Sequence, residues 1–122
     1  MTVRLEICLD SEDPVRLASF WAAALGYQVS PSWDGARYLA LLPPGPGFPK
    51  LYLQRVSEPK ATKNRIHFDL WTGRLGPEVE RLVALGARRL GEVVEGSRGN
   101  RWQVMADPEG NEFCVVEELP AS

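Results

Sequence analysis

The sequence predicts an α+β fold of two βαβββ modules whose sheets curl into a cup around a small molecule, and three observations carry that prediction. Residues 3–9 and 65–71 alternate apolar and polar side chains, the period of a strand with one greasy face and one polar face. Each stretch leads into a segment with apolar residues at helical spacing that ends in glycine. The two stops, Leu25-Gly26 and Leu85-Gly86, lie 60 residues apart, with AALG in one half answering VALG in the other.

Taken in order, Val3, Leu5, Ile7 and Leu9 fall on one face of the first strand, and Arg4, Glu6, Cys8 and Asp10 on the other. Asp13-Pro14 reads as a helix start, an acceptor at the cap followed by a residue whose φ is already helical. Leu17, Phe20, Trp21, Ala24 and Leu25 then form the buried stripe, and Gly26 supplies the left-handed stop. Tyr27–Trp33 is the second strand, Asp34-Gly35 a hairpin turn, and Arg37–Leu42 the returning strand. The proline-rich Pro43–Pro49 breaks any ladder, and Leu51–Val56 is the fourth strand. Ser57–Asn64 is a polar connector between modules of about residues 1–57 and 64–119, within one domain spanning 1–122.

The second module repeats the order. Ile66, Phe68 and Leu70 alternate with Arg65, His67, Asp69 and Trp71, and Pro77 opens a helix striped by Val79, Leu82, Val83 and Leu85. Arg88–Val94, Arg101–Ala106 and Glu112–Val116 supply three strands, the last two joined by Asp107–Asn111. Proline at the second place and glycine at the fourth make that segment a turn rather than a reactive centre.

Bulk properties narrow the function. A chain of 122 residues with 44% hydrophobic and 25% charged residues can bury one domain core. A net charge of -2 gives no broad attraction for nucleic acid or an anionic membrane, and no apolar run approaches the roughly 20 residues that span a bilayer. Two cysteines, Cys8 and Cys114, are too few for a disulfide framework and point to a reducing, cytoplasmic setting.

Each helix must cover the apolar face of its sheet, so the polar faces are left to line a cavity if the halves curl together. Glu6 lies 20 residues before Gly26 and His67 19 before Gly86, which gives them matching places in the two first strands. The 60-residue offset likewise carries Gln54 onto Cys114. Trp71 shares a strand face with His67, while Tyr52, Trp102 and Phe48 are the further candidates for pocket walls.

The stretches DPVRLASFWAAALGY, LYLQRV, KNRIHFDLW and WQVMADPEGNEFCVVE resemble the vicinal oxygen chelate superfamily over nearly the whole chain. Within it they are most similar to the small glyoxalase-like domains that include relatives of bleomycin-resistance proteins. The resemblance implies the two-module cup, a homodimer, and, in metal-dependent members, ligands on the first and fourth strands of each module. Those places are Glu6, Gln54, His67 and Cys114 here, the only candidates for a divalent metal. The set departs from the family pattern of His, Glu and Gln. Thiolate, imidazole and carboxylate suit zinc, but an amide oxygen is a poor ligand for it.

Two functions follow from these readings. In one, an aromatic or apolar-bodied molecule sits in the cup and Glu6 and His67 act as acid–base groups of a lyase or isomerase. In the other, the same pocket binds and sequesters its ligand without turning it over, as bleomycin-resistance proteins do. Cys114 as a nucleophile would need a lowered pKa; otherwise it is a small buried hydrophobe.

Overall fold

The computed structural model describes residues 3–118, so residues 1, 2 and 119 of the expected modules lie outside the described chain. The chain divides into two compact units, the boundary falling between Pro59 and Lys60. Both are α+β, and neither sheet closes on itself.

The first unit contains β1 (Ile7–Ser11), α1 (Pro14–Leu25), β2 (Gln28–Val29), β3 (Tyr38–Leu42) and β4 (Leu51–Arg55). Its sheet runs β1-β4-β3-β2, with β1 parallel to β4 and the other pairs antiparallel. The second unit contains β5 (Asp69–Thr72), α2 (Leu75–Leu85), β6 (Arg88–Glu95), β7 (Arg101–Ala106) and β8 (Glu112–Glu117). Its order, β5-β8-β7-β6, repeats the first with the same parallel pair. The sequence repeat is therefore a repeat of topology.

Local chemistry explains where the helices begin and end. The Asp13 carboxylate accepts from the Arg16 amide at 3.3 Å, and Gly26 takes φ 72°, a conformation that costs other residues about 1–2 kcal/mol. Leu17, Ala18, Phe20, Trp21 and Ala24 are buried, as are Leu39, Leu41, Leu51 and Leu53 of the sheet that α1 covers. Phe20 meets Trp21 edge to face at 5.0 Å. In the second unit Leu75, Val79 and Leu82 of α2 are buried, as are Met105, Phe113 and Val115 of its sheet.

Several element bounds differ from those expected. The first strand starts at Ile7 rather than Val3, and Val3 and Leu5 are exposed instead of lying on a buried face. Its partner β4 begins at Leu51, opposite Ile7, because Pro43–Pro49 offers no ladder to pair with residues 3–6. The fifth strand likewise covers Asp69–Thr72 rather than Arg65–Trp71, opposite Cys114–Glu117 of β8. The second strand shrinks to Gln28–Val29 with an isolated bridge at Trp33, since Pro31 interrupts the amide ladder. The second helix starts at Leu75, two residues before Pro77. Its first amide donates to the Glu117 carboxylate at 3.2 Å in place of a side-chain cap.

Candidate functional site

The first sheet has a greasy face under α1 and a second face built from the alternate residues. On β4 these are Tyr52 and Gln54, on β3 Tyr38 and Ala40, and on β1 Cys8 and Asp10. Register places Gln54 beside Tyr38 and Tyr52 beside Ala40. Trp33 joins them through a bridge to Tyr38, and the two rings stack at 5.7 Å with 22° between their planes. The Arg37 guanidinium lies 5.5 Å from the Tyr38 ring centre.

Together Glu6, Trp33, Tyr38, Lys50, Tyr52 and Gln54 line a hollow of about 380 Å³. That is within the range of small-molecule sites, roughly 300–1,000 Å³. Among the described residues, the side chains of Tyr38, Lys50, Tyr52 and Gln54 make no hydrogen bond or ion pair, so their polar heads remain available to a ligand. Glu6 meets Arg4 at 3.4 Å, but that arginine side chain is 87% exposed, and so solvated a pair stabilises little.

Two features hold the walls. The backbone over Asp34, Gly35 and Ala36 is left-handed throughout, at φ 53°, 65° and 66°, and it returns the chain so that Trp33 and Tyr38 exchange amide hydrogen bonds. Non-glycine residues in that region carry strain, which commonly gathers at ligand sites. Beside Lys50, the Tyr27 hydroxyl donates to the Pro49 carbonyl at 2.7 Å and anchors the end of the proline-rich loop.

The second sheet places different chemistry on its corresponding face. Asp69 pairs with Cys114 and Trp71 with Val116, and Val116 in turn pairs with Trp102. The His67 Nδ1 lies 3.4 Å from the Asp69 carboxylate. One ligand atom from each of His67, Asp69 and Cys114 falls within 4.8 Å of the others. Nitrogen, oxygen and sulfur donors of these kinds are the ones that zinc takes. Burial, then the nearby Asp69 charge, pushes the Cys114 thiol up, opposite to what an activated nucleophile requires. Register also refines the repeat: Asp10 faces Gln54 as Asp69 faces Cys114, so His67 corresponds to Cys8 and not to Glu6.

Of the residues expected at a site, Glu6, Tyr52 and Gln54 line the hollow, and His67 and Cys114 join Asp69 in the trio. Trp71 lies on the trio's sheet face and is 59% exposed. Trp102 packs over Gly96, where an added Cβ would sit 2.7 Å from the indole and 2.9 Å from the Asn100 carbonyl. Phe48 is exposed on its loop and is not among the lining residues. Tyr38 and Lys50 are not among the residues expected at a site, Trp33 is expected there only as a hairpin border, and Asp69 is expected on the polar strand face beside His67 with no role of its own. Asp69 was visible two residues after His67 on an alternating strand. Tyr38 and Lys50 carried no comparable signal, because their place depends on the register of β3 against β4.

Comparison with known proteins agrees with this architecture. No curated protein sequence matches the chain. A glyoxalase/bleomycin resistance protein/dioxygenase family enzyme from Burkholderia phytofirmans PsJN superposes with a TM-score of 0.76 at 18% identity, covering 96% of this chain and 100% of that one. A glyoxalase/bleomycin resistance protein/dioxygenase from Nocardioides gives 0.74 at 16% identity, covering 100% and 87%. A glyoxalase-related enzyme from Fulvimarina pelagi gives 0.70 at 17% identity, covering 96% and 89%. At such identities the likeness shows the fold alone. The glyoxalase-like domain model matches residues 6–116, nearly the whole chain, and the protein therefore belongs to the glyoxalase-like family of the vicinal oxygen chelate superfamily.

Proposed function

We propose that this protein binds a small aromatic or apolar-bodied molecule in the hollow of its first sheet, as a binding protein of the bleomycin-resistance kind. The observation that carries the reading is the convergence of three aromatic rings with unpaired polar heads on one cavity of ligand size. Tyr52, Gln54 and Glu6 are ligand contacts in this reading, joined by Trp33, Tyr38 and Lys50. The protein acts in the cytoplasm, a setting that its two free cysteines suit, and as a homodimer, as the family resemblance implies.

A second reading, an enzyme of the lyase or isomerase type, draws on the His67–Asp69–Cys114 trio. Asp69 orients the imidazole for proton transfer, and the trio can hold a divalent cation that would supply Lewis-acid polarisation.

Thermal unfolding with a library of aromatic compounds, with and without zinc, manganese or cobalt, separates the two. A specific ligand at a hundredfold excess over Kd adds about 2.7 kcal/mol. Binding predicts stabilisation by organic compounds alone, lost in Tyr38→Ala and Tyr52→Ala and kept in His67→Ala. Stabilisation by metal only, abolished by His67→Ala, would replace the binding reading with the enzymatic one.

A further inference from the structure

Resting on the binding reading, we propose that the hollow selects one chemical class, a free aromatic α-amino acid or a close analogue with adjacent ammonium and carboxylate groups. The register of β1 against β4 sets Ile7 beside Leu51, which puts Glu6 and Lys50 side by side just before the two parallel strands. Both side chains line the hollow, so one end of it carries a carboxylate and an ammonium together. Among the described residues these two groups do not pair with each other: Glu6 meets the solvated Arg4, and Lys50 meets no acid. An anion alone would face Glu6 at close range, and a cation alone would face Lys50. A zwitterion satisfies both.

Away from that end the lining becomes aromatic. Tyr52 is two residues beyond Lys50 and Gln54 four residues beyond, on the same face, with Tyr38 beside Gln54 and Trp33 stacked on Tyr38. At about 3.3 Å per residue the hollow runs roughly 13 Å from its charged end to its amide end. A flat ring on a short zwitterionic arm matches this gradient. The free Gln54 amide and tyrosine hydroxyls read a polar group on the far edge of the ring.

Four probes share one ring and differ only in charge: indole, tryptamine, indole-3-propionate and L-tryptophan. Binding is read by calorimetry and by the shift of the Trp33 indole proton. L-Tryptophan should bind at least tenfold tighter than indole and tighter than either singly charged probe. Lys50→Met should bring L-tryptophan down to the tryptamine level, and Glu6→Gln should bring it down to the indole-3-propionate level. Equal binding of indole and L-tryptophan would overturn the amino-acid inference while leaving an aromatic binder. Binding of none of the four, with the variants still folded, would overturn both.

Discussion

Asp107 shows what a single buried acid does in this chain. Its carboxylate accepts from the amides of Glu109 and Asn111, each at 2.9 Å, and from the Asn111 side chain. Asn64 and Glu112 continue the network, with Asn64 donating from its amide to Glu112 and from its side chain to Asn111. Replacing Asp107 with Ala should therefore cost about 2–3 kcal/mol by orphaning two amides, and Asp107→Asn clearly less, as measured by denaturant midpoints. The turn itself was legible, because Asp, Pro, Gly and Asn each bring a known backbone preference. Its clasp on Asn64, 47 residues from Asn111, was not, since no local rule links them. The hollow divided in the same way: the polarity of Glu6 and Gln54 marked them, while Tyr38 and Lys50 needed the strand register.

Among the elements, the helices were the most legible and the strand bounds the least. A helix closes its own hydrogen bonds, so Asp13, Pro14 and Gly26 fix α1 without reference to distant chain. A strand exists only where a partner runs beside it, which is why Val3–Glu6 alternates in sequence yet lies outside the ladder. The two helices differ at their starts. Asp13→Ala should lower stability by about 1 kcal/mol in a urea titration, because α1 has this side-chain cap and α2 has none. The wild-type value in Asp13→Ala would show that the 3.3 Å contact to Arg16 contributes nothing.

At the scale of the molecule, the carboxylates held most firmly in their charged form are concentrated in the second unit. Hydrogen bonds from the Asn64 amide, aided by Lys60, lower Glu112 to about 2, and Arg101 with the Leu75 amide lowers Glu117. For a carboxylate depressed in the folded state, the stabilisation is complete above its unfolded value and fades as pH falls through the folded one. Between about pH 4.5 and 2, then, residues 60–118 should lose hydrogen-exchange protection before residues 3–59. Glu112→Gln should flatten the loss, and equal loss in both units would count against this account. Topological duplication was readable from one 60-residue offset. The division of chemistry between the copies, an aromatic hollow on one sheet and an imidazole–carboxylate–thiol trio on the other, was not.

The clasp around Asn64 also decides where foreign sequence can enter. Lys60 and Asn64 are tied to Glu112 and Asn111, so a peptide spliced at 60–64 would pull on the start of β8. Ser57, Glu58 and Pro59 are exposed and carry no such ties, which makes that tripeptide the permissive seam for tags, loops or a new pair of chain ends.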